Sequence, residues 1–201
     1  MKIASWNVNS LKVRLPQVLD WINLNQPDVL CLQETKQNND NFPHDVFEKR
    51  GLFSYHNGQN TYNGVAIISN KELIDVQFDI PNFYDEQKRL ISGIYPNNEG
   101  PKIRVISAYI PNGQSLNSDK FEYKMNWLKS FIIFLQTKID GIENIITGDF
   151  NIAPTKLDCY DSKSWDGKIL VSPQEREYFD KLLNLGFIDT FREMNPNANE
   201  F

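Results

Sequence analysis

Apolar residues in this chain come as short continuous runs divided by longer stretches with helical spacing. Ile3 to Trp6 reads as a short buried strand that ends at the polar segment Asn7-Val8-Asn9-Ser10. Helical spacing follows from about Pro16 to Asn25, with Val18, Leu19, Trp21 and Ile22 on one face. Pro16 suits a helix's first turn and Pro27 its exit. Asp28 to Glu34 is again a buried strand turning polar at its end. Strand, helix, strand is a βαβ unit, whose crossover is right-handed and whose strands run parallel. Parallel strands bring their C-terminal ends to one edge, so Asn7 and Glu34 are expected to meet.

The middle of the chain is strand-rich: Val65 to Ser69, Ile74 to Phe78, Leu90 to Tyr95 and Ile103 to Tyr109. Asn57-Gly58, Asn63-Gly64 and Asn112-Gly113 mark turns or loops between them. A helix is expected from about Asp119 to Thr137, with Met125, Leu128, Phe131, Ile132 and Leu135 on one face, then a strand from Asn144 to Asp149. Ser172-Pro173-Gln174-Glu175 is a helix start, with Ser as cap, Pro at the first position and Glu three after the cap. Tyr178, Phe179, Leu182 and Leu183 form that helix's inner face and Gly186 ends it. Phe187 to Phe201 adds no closing element. The mixture predicts an α/β sandwich of two packed sheets with helices outside them.

Composition adds little to this picture. With 201 residues, 40% hydrophobic and 23% charged, the chain has globular composition, and without repeats or linkers it reads as one domain spanning 1–201. It has no apolar stretch long enough for a membrane span and no signal-peptide pattern at Met1 to Asn7, so a cytoplasmic protein is expected. Cys31 lies in an apolar run as a buried thiol, and Cys159 stands apart, so neither a disulfide framework nor a zinc site is expected. The net charge of −5 argues against a broad basic surface for nucleic acid, yet a bound cation with a few local Lys and Arg can still serve phosphate.

Four expected strands end in a polar residue suited to a metal or a phosphate: Asn7, Glu34, Tyr109 and Asp149, with Asn151 two beyond the last. Singly, each is an ordinary strand-end polar residue. Together they are hard oxygen donors, suited to Mg²⁺ or Mn²⁺. Glu34 is the natural principal ligand with Asn7 beside it. Asp149 is then left to act on a water, Asn151 to orient a phosphate oxygen or the nucleophile, and Tyr109 to donate to the phosphate. An extended Asp149-Phe150-Asn151 segment would point both polar side chains the same way. Nucleophile-elbow, Walker and dinucleotide glycine motifs are absent from the sequence. The two histidines, His44 and His56, read as surface or packing residues.

Six segments in order carry a resemblance: Trp6-Asn7-Val8-Asn9-Ser10, Leu32-Gln33-Glu34-Thr35-Lys36, Tyr62-Asn63-Gly64-Val65-Ala66, Ala108-Tyr109-Ile110-Pro111-Asn112-Gly113, Gly148-Asp149-Phe150-Asn151-Ile152-Ala153-Pro154 and Gly186-Phe187-Ile188-Asp189-Thr190-Phe191-Arg192. Together they resemble the exonuclease III family of DNA-repair nucleases. The resemblance implies a four-layer αββα sandwich and Mg²⁺-dependent cleavage on the 3′ side of DNA phosphodiesters. The implied activities are 3′-to-5′ exonuclease, abasic-site endonuclease and 3′-end cleaning on double-stranded DNA, by a monomer. It assigns Asn7 and Glu34 to the metal, and Tyr109, Asp149 and Asn151 to catalysis. Arg89 matches a phosphate-contacting position, and Lys120 and Lys124 are candidates for DNA backbone contacts or for a solvated helix face. The family's aromatic loop, its Asp-bearing strand and its terminal Ser-Asp-His have no match. The chain is therefore expected to be C-terminally incomplete, to lack the last strands, and to be weak or inactive alone. The alternatives are a non-catalytic scaffold on the same fold and a superfamily phosphatase acting on phosphoinositides or lipids. Lys36 after Glu34-Thr35 and the compact loops favour DNA.

Overall fold

In the computed structural model, which describes residues 1–96 and 100–198, the eight strands form two four-stranded sheets. The first holds β1 (Ile3–Asn7), β2 (Val29–Gln33), β3 (Phe53–Asn57) and β4 (Val65–Ser69), in the order β1-β2-β4-β3. The second holds β5 (Ile74–Phe78), β6 (Leu90–Tyr95), β7 (Ile103–Tyr109) and β8 (Glu143–Asp149), in sequence order. Both are mixed: β1 with β2 and β7 with β8 are parallel, and the remaining pairs are antiparallel. The expected α/β class with two packed mixed sheets is the architecture observed.

These strands and two helices, α1 (Leu11–Asn25) and α2 (His44–Glu48), make one compact unit, Met1–Tyr109 with Lys138–Phe150. Every residue of β2 is buried, and the two-residue period of a strand divides them between two cores. Val29 and Cys31 join Val65 and Ile67 against Ile91 and Val105 of the second sheet. Leu30 and Leu32 join Ala66 and Ile68 against Leu11, Val18 and Ile22 of α1 and Phe47 of α2. Gln33, buried in the same layer as Cys31, bridges the sheets by donating to Ser5 Oγ (3.2 Å) and Ser107 Oγ (3.1 Å).

The helix expected from Pro16 begins earlier, at Leu11, and Pro16 lies inside it. Its start is fixed from outside, by Ser10 N–H on Glu34 O (2.7 Å) and Leu11 N–H on Thr35 O (3.1 Å). Pro16, which cannot donate to the Lys12 carbonyl, is exposed, as is Lys12, so the interruption falls on the solvent side. The strand β3 and the helix α2 carry no strong periodic signal and were not expected.

The second compact unit, Ile110–Thr137 with the chain from Asn151 onward, is helical: α3 (Asp119–Gln136), α4 (Ser162–Trp165), α5 (Pro173–Asn184) and α6 (Thr190–Met194). Within it α3 packs on α5. The start of α5 is as expected, with Ser172 as cap and a reciprocal capping box to Glu175, and Gly186 follows its end at φ 97°. Leu182 is buried there, whereas Leu183 is 39% exposed. On α3 the inner face is wider than expected: Phe121, Lys124, Trp127 and Phe134 join Leu128, Phe131 and Leu135, while Met125 and Ile132 are only half-buried. Phe187 to Phe201 contains α6, and residues 199–201 of that stretch lie outside the described residues.

Candidate active site

The strand ends converge as parallel pairing requires. In the β1–β2 register Asn7 lies opposite Gln33, and Glu34 is the next residue. In the β7–β8 register Tyr109 lies opposite Asp149. With β1 and β8 adjacent, the four side chains form one hydrogen-bonded group. Asn7 Nδ2 donates to Glu34 Oε1 (2.8 Å) and to Asp149 Oδ2 (2.9 Å). Tyr109 OH donates to the same Glu34 Oε1 at 2.9 Å. Asn7 Oδ1 accepts from Asn9 N–H at 3.1 Å, which fixes the carboxamide from behind.

Glu34 owes its direction to an unusual backbone. At φ 54° it is left-handed, as are Asn9 (43°), Lys36 (53°) and Asn63 (55°). Each such non-glycine residue costs about 1 kcal/mol and persists only where its surroundings over-determine it. Here Thr35 N–H bonds Gly64 O (3.2 Å) and Lys36 N–H bonds Asn63 O (2.9 Å), pinning the segment to the turn before β4. Thr35 Oγ1 also meets His56 Nε2 at 2.8 Å, and the His56 ring stacks on Phe42 with centroids 4.1 Å apart. Gly64 is required: a Cβ there would sit 2.1 Å from Thr35 Oγ1.

Partial burial opposes charge on Glu34, but hydrogen bonds from Asn7, Lys36 and Tyr109 outweigh it and hold the carboxyl below its ordinary range. Lys36 Nζ lies 2.9 Å from Glu34 Oε2 and also donates to Asn9 Oδ1. Tyr109 is pushed up to about 12, first by burial and then by the Glu34 charge, so its hydroxyl remains a donor throughout the neutral range. Burial pushes His56 down to about 3, which leaves it a neutral packing residue. Arg89 is 8% exposed. Its guanidinium lies 4.6 Å from the centroid of the Tyr109 ring and donates to Tyr109 O (3.1 Å) and to Gln87 Oε1 (2.7 and 2.9 Å).

The remaining expected residues belong to the second unit. Asn151 is left-handed at φ 47°, so the extended Asp149-Phe150-Asn151 segment expected from sequence is not formed and strand alternation ends at Asp149. Asn151 Oδ1 accepts from Asn112 Nδ2 (3.1 Å), and its Nδ2 donates to Ile110 O (3.0 Å). Lys120 is exposed on the first turn of α3. Lys124 is neither on a solvated face nor at a surface open to DNA: it is 0% exposed and ion-paired with Glu175, also 0% exposed. Helical spacing marks an inward position but not a partner 51 residues away. Lys36 and Asn9 were not among the expected site residues, although both lie inside the quoted motifs.

The donor set is a carboxamide and two carboxylates, without histidine or cysteine. It fits magnesium, which uses one or two protein carboxylates and completes its shell with water and phosphate. Among the described residues no group of three or more His, Cys, Asp or Glu could hold an ion, and no helix is long and apolar enough to cross a membrane.

Residues 4–198 match the endonuclease/exonuclease/phosphatase family. Exodeoxyribonuclease III of Haemophilus influenzae is 34% identical over 209 residues, a match that covers all of this chain and 78% of that protein. Among solved structures, a 3′ phosphatase from Neisseria bound to a product DNA hairpin has a TM-score of 0.94 and 42% identity, over 98% of this chain and 76% of that one. An AP endonuclease from Archaeoglobus fulgidus has a TM-score of 0.92 and 35% identity, over 100% of this chain and 77% of that one. Its sequence and its fold together make this chain a member of the endonuclease/exonuclease/phosphatase family, of the exonuclease III type.

Proposed function

We propose that the chain is a Mg²⁺-dependent DNA-repair phosphodiesterase acting on abasic sites and 3′ ends of duplex DNA, as a cytoplasmic monomer. One observation carries this reading: Asn7, Glu34, Tyr109 and Asp149, from four strand ends, form a single hydrogen-bonded group. Likeness to a 3′ phosphatase solved with DNA and to an AP endonuclease supports DNA as the substrate. With a net charge of −5, phosphate recognition rests on local cations such as Arg89 and Lys120.

Glu34 and Asn7 would hold the metal, with Mn²⁺ as a substitute ion. When bound, it neutralises charge on the phosphate. Asp149 accepts a proton from the attacking water, whose oxygen bonds to phosphorus as the P–O3′ bond breaks, and the departing O3′ takes a proton from solvent to become a 3′-hydroxyl. Tyr109 donates a hydrogen bond to a phosphate oxygen as charge builds there. Arg89 holds the Tyr109 ring and carbonyl, and Asn151 orients a second phosphate oxygen.

The test is a substrate panel with Mg²⁺: abasic duplex, 3′-recessed duplex, duplex with a 3′-phosphate, and a phosphoinositide. The reading predicts turnover of the DNA substrates alone. Turnover of the phosphoinositide with all three DNAs untouched overturns it.

A further inference from the structure

Lys124 and Glu175 form a fully buried ion pair that the chemistry above does not use. Lys124 Nζ has three N–H donors, and three acceptors meet them: Glu175 Oε1, Asn151 O (2.7 Å) and Asn112 O (3.3 Å). Glu175 Oε1 also accepts from Leu170 N–H (3.0 Å), and Oε2 accepts from Ser172 N–H (3.0 Å) and Ser172 Oγ (2.7 Å). Neither group has capacity left for a ligand. Stability alone is a poor reason for such a pair, because desolvation cancels much of the attraction and two apolar side chains often serve as well.

What two apolar side chains cannot do is grip backbone carbonyls. The ammonium holds Asn112 and Asn151 by their carbonyls while their side chains bond each other. It thereby fixes a left-handed Asn151 whose carboxamide is already tied to Ile110 O. The Lys124 stem lies close under the Asn112–Gly113 turn, where a Cβ on Gly113 would stand 3.1 Å from Lys124 Cδ. We propose that Lys124 and Glu175 are positioning residues that set the orientation of the Asn151 carboxamide for phosphate. This rests on the role given to Asn151 in the proposed function.

The test compares the 201-residue chain with Lys124→Met/Glu175→Leu, with Asn151→Ala, and with all three substitutions combined, using Mg²⁺ and a 3′-recessed duplex. Circular dichroism and melting report folding, and kcat and KM are read separately. The apolar pair is expected to keep the fold and lose about 100-fold in kcat, a loss typical of a misplaced group, with KM little changed. Adding Asn151→Ala should then cost little more, because both changes remove the same function. A folded double variant with full kcat, where Asn151→Ala alone is impaired, overturns the inference and leaves the function intact. Full activity in Asn151→Ala removes the role of Asn151 itself, and the inference with it. If the double variant does not fold, Glu175→Gln serves, read by the NMR side-chain amide signals of Asn151. A shift or splitting of those signals supports the pair's role, and unchanged signals overturn it.

Discussion

Tyr109, at the end of β7 in the second sheet, donates its hydroxyl to Glu34 just beyond β2 in the first, at 2.9 Å. This bond ties the two sheets together at the site and holds the phenol in place over the strand ends. Tyr109→Phe removes the donor and keeps the ring beside Arg89. It is expected to lower kcat by about 10²–10³-fold, as for loss of one preorganised donor. Stability should change by about 1 kcal/mol, the worth of one hydrogen bond. Steady-state kinetics and urea melts on the same preparation check both.

Asn7 stands between two carboxylates and donates to each. Asn7→Ala leaves Glu34 and Asp149 without that shared donor and removes the carboxamide assigned above to the metal. Mg²⁺ affinity, measured by calorimetric titration, is expected to fall by about tenfold or more. Unchanged affinity would remove Asn7 from the metal site.

The meeting of Asn7 and Glu34 was legible in the sequence, because a βαβ reading of Ile3 to Glu34 already places both at one edge. The start of α5 was legible too, since Ser172, Pro173 and Glu175 are a local signal complete within four residues. Features set by distant parts of the chain were not. Leu11 opens α1 because Glu34 and Thr35 supply acceptors, and Lys124 turns inward because Glu175 is there to meet it. The left-handed Asn151 depends on Ile110, Asn112 and Lys124, none of which a period-two pattern can register. The strand β3 was missed because Phe53-Ser54-Tyr55-His56-Asn57 is only five residues long, has a single aromatic–polar repeat and runs straight into the Asn57-Gly58 turn signal.

His56 gives a pH dependence with a defined sign. Its ordinary value near 6.5 applies to the unfolded chain, and burial lowers the folded value to about 3. Above 6.5 both states are neutral there and His56 contributes no slope. As pH falls from 6.5 towards 3 the unfolded state takes up the proton first, so stability declines, by up to several kcal/mol. Urea midpoints between pH 6.5 and 4.5, above most carboxylate titration, should fall in the parent chain. The same series in His56→Gln should be flatter.

Gly148 precedes Asp149 in β8 at φ 140°, and a Cβ there would lie 1.8 Å from Ala108 O, a backbone atom that cannot yield. Gly148→Ala is expected to cost about 2–4 kcal/mol by overpacking and to disturb the Tyr109–Asp149 register beside it. Denaturant midpoints report the stability, and a loss of activity larger than the loss of folded protein reports the register.

The central claim is a metal-dependent phosphodiester site built on Glu34. Its most direct test is release of 3′ nucleotides from a recessed duplex by the parent chain and by Glu34→Gln, each with Mg²⁺ and with EDTA. The account predicts release above buffer alone that requires Mg²⁺ and falls by about 10²–10³-fold in Glu34→Gln, because the ion that neutralises phosphate charge would lose its principal ligand. Release that continues undiminished in EDTA, or equally well in Glu34→Gln, would contradict it.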